Sequence, residues 1–252
     1  MAAERIILKN QDEINIMRRG GAILREVLDR VVEQVRPGVT TQELDRFAKA
    51  ELDQRKAVPA FLGLYGFPCT MCASINEQVV HGIPDAVPLR QGDIVSLDIG
   101  LVSDGYYVDT ARTVPVGKVD EESDRLMRVT SEALQLGIDC LRPGQRLGDL
   151  SWAIQEFVEE REFSIVREYT GHGIGRKLHE EPKIPNYGEP GKGVRWQPGM
   201  VVCIEPMVNA GVHATRTLDD KWTVVTADGK RSAHMEHTVA VTHNGPLILT
   251  AP

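Results

Sequence analysis

The chain has 252 residues, 42% hydrophobic and 26% charged, with a formal charge of −7 from 29 basic and 36 acidic side chains. Those fractions exclude a disordered, collagenous or coiled-coil chain, and a chain this long buries roughly 70–75% of its unfolded surface without a disulfide or metal staple. The acidic balance, with no dense Lys/Arg run, argues against direct duplex or membrane-surface binding. Cys69, Cys72, Cys140 and Cys203 form no disulfide framework and suit a reducing compartment. Cys69-Thr70-Met71-Cys72 lacks the second pair of a zinc site and reads as small buried hydrophobes. Met1-Ala2-Ala3-Glu4-Arg5 carries no apolar signal stretch, and no run of 18 apolar residues occurs, so the expectation is a cytoplasmic protein.

The first element is a helix. Asn10 and Glu13 give a start signal, Leu24, Val27, Leu28, Val31, Val32 and Val35 recur at helical spacing, and Pro37-Gly38 is the stop. A second helix opens at the capping box Thr40-x-x-Glu43, with Leu44, Phe47, Ala48 and Leu52 on one face. Two strands, 94–102 and 106–114, flank Asp104-Gly105, a strong hairpin signal. Leu126 to Leu141 and Leu147 to Val158 give a third and a fourth helix. Residues 200–208, 222–226 and 235–242 are later strands, with a turn at Asp228-Gly229.

Sliding the chain on itself gives an internal echo. Arg36-Pro37-Gly38 recurs as Arg142-Pro143-Gly144 at an offset of 106, and Leu44 and Leu52 match Leu150 and Val158. At an offset of 107, Gly92-x-Ile94-Val95-x-Leu97-Asp98 matches Gly199-x-Val201-Val202-x-Ile204-Glu205. Val108-Asp109-Thr110 then aligns with Met235-Glu236-His237 after the second copy gains 20 residues. No linker divides the chain. The reading is one domain over residues 1–252, built from two similar α+β halves (about 10–115 and 120–242) around a pseudo-twofold axis, with a shared site between them.

Asp98 sits in an apolar strand, where an ionised carboxylate is costly unless paired or metal-bound. A two-residue turn at Asp104-Gly105 sets 103 opposite 106 and 100 opposite 109. Asp98 and Asp109 then share a face one diagonal step apart, roughly 7–8 Å between backbones. They could share a divalent cation; the plainer alternative is a turn cap or a pair with Arg112. Glu205 and Glu236 are likewise acids embedded in apolar strands. Four such acids, two per half, with a single imidazole suit oxygen-rich ligation of Mn, Fe(II) or Co at least as well as Zn, and bridging carboxylates suit two metals about 3.5–4 Å apart. His172 lies in Gly171-His172-Gly173-Ile174-Gly175, where glycines allow close backbone approach. His81-Gly82-Ile83-Pro84 and His179-Glu180-Glu181-Pro182 give two more candidate histidines, whereas His213, His234 and His243 read as structural. No dinucleotide fingerprint, Walker loop, HExxH or GxSxG occurs.

Asn76-Glu77 with His81-Gly82-Ile83-Pro84, Asp98 and Asp109-Thr110 eleven residues on, Gly171 to Gly175, His179 to Pro182, Ile204-Glu205-Pro206 and Glu236-His237-Thr238 resemble the type I methionine aminopeptidases of the M24 metallopeptidases. The match runs in order over nearly the whole chain. It implies the α+β "pita-bread" fold and removal of initiator methionine before a small second residue, by metal-activated hydroxide attack on the first peptide bond. Asp98, Asp109, His172, Glu205 and Glu236 would ligate two metals, Asp109 and Glu236 bridging. Glu205 would handle the proton of the attacking water, His179 would stabilise the tetrahedral intermediate, and His81 would bond the substrate near the scissile amide. By position the methionine pocket involves Phe61, Leu64, Phe67, Cys72, Leu178 and Trp222. Leu64 and Phe67 stand where the family often has tyrosines, and Leu178 where it often has Phe. The implied partners are N-termini of nascent peptides at the ribosome, for a monomeric enzyme with no membrane role. Glu236 follows Glu205 by only 31 positions, too few for the helical insertion of type II enzymes, and the absence of a Cys/His-rich N-terminal extension points to a bacterial form. An X-Pro peptidase is the alternative within the fold, and a non-enzymatic ribosome- or RNA-associated module the alternative outside it.

Overall fold

Capping chemistry sets where the helices begin. The structure, a computed structural model, describes residues 5–251; the reading of the first four residues lies outside them. Helix α1 (Gln11–Val32) starts on a full capping box, Glu13 N donating to Asn10 Oδ1 at 3.0 Å and Asn10 N to Glu13 Oε2 at 2.8 Å. It ends at Val32, earlier than the Pro37-Gly38 stop, because Gln34 and Val35 close i→i−3 turns on Val31 and Val32. Helix α2 (Thr41–Gln54) opens on the Thr40/Glu43 box. Strands β1 (Val58–Pro59), β2 (Met71–Ile75), β3 (Gln78–Val80), β4 (Ile94–Ser103) and β5 (Tyr106–Pro115) complete the first half.

The second half repeats the order with α3 (Glu121–Asp139) and α4 (Leu147–Glu159). Strands β6 (Ser164–Ile165), β7 (Gly171–Gly173), β8 (Glu180–Ile184), β9 (Val201–Ile204) and β10 (Met207–Asn209) follow. Then come β11 (Thr215–Thr217), β12 (Val224–Thr226), β13 (Ser232–His234), β14 (Glu236–Thr242) and β15 (Gly245–Ile248). The single strand expected over 200–208 is broken at Glu205-Pro206, where proline has no N–H to give a ladder. Equivalent turns carry equivalent bonds: Gly38 N donates to Leu89 O and Gly144 N to Trp196 O, Gly92 N to Val116 O and Gly199 N to Val241 O.

Nine strands form the main sheet, ordered β1-β4-β5-β14-β9-β7-β8, with β2 on β4 and β15 on β14. The β4–β5 register follows from the turn: Asp104 (φ 49°) and Gly105 (φ 77°) both take positive φ, Ser103 faces Tyr106 and Gly100 faces Asp109. Leu97, Ile99, Leu101 and Val108 point at α1 and α2 and join Met17, Leu24, Leu28 and Leu44 in one core. A second core unites Leu126, Ala133, Leu150 and Ile154 of α3 and α4 with Val202, Ile204, Val239 and Val241. The helices therefore cover one face of the sheet. The alternate strand positions face the other way, into a cleft. No helix among the described residues is long and apolar enough to cross a membrane.

The segment before α1 is strapped across the second half. Lys9 N donates to Gly199 O at 2.7 Å, and Lys9 Nζ meets Glu180 Oε2 at 2.6 Å with both side chains under 5% exposed. Removing one partner of a buried pair leaves an uncompensated charge, at about 3–5 kcal/mol. Lys9→Met should lower unfolding free energy in urea by that amount, and a Lys9→Met/Glu180→Gln double variant should recover most of it. Equal stability of the single variant and the wild type would show that the strap holds nothing.

Candidate metal centre and substrate cleft

Strand pairing alone brings the acids together. Asp98 pairs with Ala111, and Ala111 in turn with Glu236, so Asp98, Ala111 and Glu236 point to one face. Asp109, two residues before Ala111, shares that face. On the far side of β14, Thr238 pairs with Cys203, and Cys203 with His172, again on the cleft face. Glu205 follows two residues after Cys203, immediately after β9 ends. Five elements each deliver one or two polar groups to one spot. Donor atoms of Asp109, His172, Cys203 and Glu236 all lie within 4.8 Å of one another.

The local backbone is built for this convergence. The β5–β14 ladder stops after His237↔Thr110, and the Thr238 hydroxyl takes over, accepting from Asp109 N at 2.9 Å and donating to Asp109 O at 2.7 Å. Thr110 Oγ1 donates to Glu236 O at 2.8 Å. At Gly171 and Gly173, added Cβ atoms would stand 2.4 and 2.3 Å from the carbonyl oxygens of Cys203 and Glu181, so only glycine lets the His172 strand sit this close. His81 holds a left-handed φ of 59°, fixed by Gly82 N donating to Ser74 Oγ and Gly82 O accepting from Ala73 N. Arg112 pairs with Asp29 at 2.9 Å on the helix face, which removes it as a partner for either aspartate.

Electrostatically the site lacks positive charge. Asp109 Oδ1 and Glu236 Oε1 are buried with no hydrogen-bond partner among the described residues, as is Asp98 Oδ1. Burial, then the neighbouring carboxylates Glu236, Asp98 and Glu205, pushes Asp109 well above the usual carboxyl range. Burial and then Glu205 and Asp98 do the same to Glu236; burial and then Asp98 raise Glu205. Burial raises Asp98 as well. Burial, reinforced by His179, lowers His172 to about 3, which leaves a neutral imidazole able to donate a lone pair. Burial, with His234 and His179, lowers His81 to about 4. Unpartnered buried oxygens around a neutral ring are what a hard or borderline divalent cation needs. The donor set fits one.

Above the acids lies a cleft of about 220 Å³. It is lined by Asp98, Asp109, His172, Glu205 and Glu236, by His81 and His179, and by Phe61, Leu64, Phe67, Cys72, Leu178 and Trp222. Every residue singled out in the sequence thus borders one space. Phe67 and Trp222 meet edge to face with centroids 5.1 Å apart, and His172 and His179 do so at 4.5 Å. Tyr65, Val80, Tyr169, Thr170, Met207 and His234 also line the cleft and were not singled out as site residues. Cys203 precedes Glu205 by two residues, a strand-period signal that was available, whereas His234, expected to be structural, sits across a strand break from Glu236. His213 and His243 are exposed and do not line it.

A curled sheet carrying buried carboxylates and an imidazole on its concave face defines a metallohydrolase-type site. The model of metallopeptidase family M24 matches residues 15–243, and the chain belongs to that family. It is 53% identical to a methionine aminopeptidase of Clostridium perfringens over 97% of this chain and 98% of that one. It is 49% identical to methionine aminopeptidase 1 of Bacillus subtilis, over 97% and 99%. The solved methionine aminopeptidase of Rickettsia prowazekii superposes with a TM-score of 0.97 at 43% identity, covering 98% of this chain and 100% of that one. A prolidase from Pyrococcus furiosus, 23% identical with a TM-score of 0.80, shares the fold alone, covering 98% of this chain and 66% of its own. The fold is the pita-bread fold of this family.

These shifts make stability depend on pH in two opposing ways. A buried histidine with a lowered pKa costs stability below about pH 6.5 and contributes nothing further above it. A buried carboxyl with a raised pKa keeps its proton longer when folded, so stability is lost as pH climbs from about 4 towards its folded value. Above about pH 6.5 only the carboxyls still act. In EDTA the melting temperature should not rise between about pH 6.5 and 8, since the raised carboxyls can only lower stability there, and excess Mn(II) should raise it. A scan in EDTA that rises over this window would contradict the assignment of buried, charge-starved acids.

Proposed function

We propose that this protein is a methionyl aminopeptidase that removes an N-terminal methionine when the second residue is small. The observation that carries the reading is the convergence of buried, unpartnered carboxylate oxygens with one imidazole in a cleft that also has apolar walls from Phe61, Leu64, Phe67, Leu178 and Trp222. Full-length identity of 49–53% to proteins named methionine aminopeptidase supports it. In the finer reading, Asp98, Asp109, His172, Glu205 and Glu236 would hold two divalent cations. Mn, Fe(II), Co, Ni and Zn all suit such a donor set. When bound, the cations supply Lewis acidity and bring the pKa of water towards neutrality.

The remaining steps belong to the chain itself. Glu205, 3.5 Å from His172 Nε2, is set to take the proton of the attacking water. His179, exposed in the cleft and edge-on to His172, donates to the carbonyl oxygen as negative charge grows on it. His81, neutral at pH 7 with its pKa near 4, offers one N–H to the scissile amide. Phe61, Leu64, Phe67, Cys72, Leu178 and Trp222 surround the methionine side chain, and aromatic and sulfur-bearing walls suit a thioether. The substrates are N-termini of nascent chains, met at the ribosome in the cytoplasm by a monomer. The chain works as one domain of two duplicated halves.

Glu205→Gln and Asp109→Asn should each abolish methionine release from a Met-Ala peptide, and near-wild-type turnover with intact metal content would sink the ligand assignment. His179→Ala should lower kcat by about 10²–10³-fold with its metal content unchanged, whereas His172→Ala should lose an ion by elemental analysis. The reverse pattern would exchange the two histidines' roles.

Selectivity gives a separate test. One methylene is worth only about 1–3 kcal/mol, so several walls must act together. Met-Ala should be the best peptide, Lys-Ala and Met-Arg poor, and X-Pro peptides uncut. Comparable kcat/KM on all of them would show that these walls do not form a methionine pocket, and preference for X-Pro would favour the prolidase alternative.

A further inference from the structure

Glu205 stands between two imidazoles. His172 Nε2 is 3.5 Å from its Oε1, and His234 Nε2 is 3.7 Å from its Oε2. The second ring has not entered the chemistry described so far. His234 is only 2% exposed, and its Nε2 has no hydrogen-bond partner among the described residues. A buried ring nitrogen left bare is costly, so its orientation needs a cause.

The backbone around His234 leaves the ring little freedom. His234 N donates to Thr113 Oγ1 at 2.8 Å, and His234 O accepts from the same hydroxyl at 2.8 Å. Thr113 Oγ1 is itself tied to Ser96 Oγ at 2.7 Å. On its other edge β13 pairs with β10, His234 opposite Met207. A strand clamped on both sides aims this side chain into the cleft, where it joins the lining beside Asp98 and Glu205.

We propose that His234 is a positioning residue: its Nε2–H donates to Glu205 Oε2 and holds that carboxylate with Oε1 turned towards His172 and the cation site. The inference rests on the reading of Glu205 as a metal ligand. Glu205 Oε2 accepts no hydrogen bond from any other described residue; Asn186 Nδ2 reaches only the backbone oxygen of Glu205, at 3.0 Å. The groups gathered around it are mainly carboxylates, which when ionised cannot donate. A move of about half an ångström brings 3.7 Å into hydrogen-bond range. Outer partners of this kind fix a ligand's orientation, and their loss typically costs about 10–100-fold in metal affinity.

The test is Co(II) titration of the full chain by calorimetry and visible absorption, comparing wild type, His234→Leu, His234→Gln and His172→Ala. His234→Leu keeps bulk but cannot donate. It should bind Co(II) about 10–100-fold more weakly, with altered d–d bands and an unchanged far-UV circular dichroism spectrum. His234→Gln supplies an amide N–H and should restore affinity to within about threefold of wild type. On Met-Ala, His234→Leu should lower kcat more than it raises KM. Wild-type affinity and spectrum in His234→Leu overturn the proposal, as does equal weakening in the Leu and Gln variants. If His234→Leu does not fold, His234→Asn, polar but too short to reach Glu205, takes its place under the same criteria. A wild-type protein that binds no Co(II), or a His172→Ala variant that binds as well as wild type, removes the metal-centre reading itself and this inference with it.

Discussion

The arrangement of the site turns on like charges confined in a small, dry space. Two unit charges 4 Å apart at an effective dielectric constant of about 20 repel by about 4 kcal/mol. Here donor atoms from two carboxylates, a thiol and an imidazole lie within 4.8 Å of one another, with Asp98 and Glu205 beside them. No cationic side chain among the described residues enters the cleft lining. Arg112 is turned away to Asp29, and Lys9 is spent on Glu180. Left to itself, the cluster keeps protons. A divalent cation replaces those protons with a stronger partner, so metal binding and the stability of the sheet are coupled.

Such a cluster survives folding because the energy that forms the sheet comes from its other face. Leu97, Ile99, Leu101 and Val108 of one half, and Val202, Ile204, Val239 and Val241 of the other, are all fully buried under the helices. The apolar side specifies the register, and a one-residue slip would bury the acids in the core. The register in turn fixes the acids. Threonine hydroxyls finish the work where strands part, Thr238 holding the backbone of Asp109 and Thr113 that of His234.

This dependence explains what could be read from the sequence. Asp104-Gly105 names its turn type, the turn sets the pairing, and the pairing sets Asp98 and Asp109 on one face, so local chemistry reached a tertiary fact. Glu205 and Glu236 were legible because acids stand out in apolar strands. His234 was not, since its facing depends on β13 pairing with β10, a contact set far along the chain, and on a break at Met235 that interrupts strand periodicity. The strand expected through Glu205 failed for a local reason, Pro206, and that break frees Glu205 from the ladder beside His172. Pocket walls such as Leu64 came only from resemblance. A loop residue in a one-turn 3-10 segment carries no periodicity to read.

The two halves contribute alike in acids and unlike in everything else. Asp98 answers Glu205, and Asp109 answers Glu236, so the carboxylates follow the internal echo. Counting back from His172 and His179 by the same offset of 106 to 107 arrives at Tyr65-Gly66 and Cys72-Ala73. Tyr65 and Cys72 of those segments line the cleft together with Leu64 and Phe67. The symmetric part of the site is thus the part that suits cations, which have no direction. The rest of the lining is asymmetric, His172 and His179 in one half standing where the other has Tyr65 and Cys72, as a peptide with a distinct first side chain and a distinct scissile bond requires. A twofold cage could hold metal without telling one end of a substrate from the other; divergence of these segments supplies the polarity.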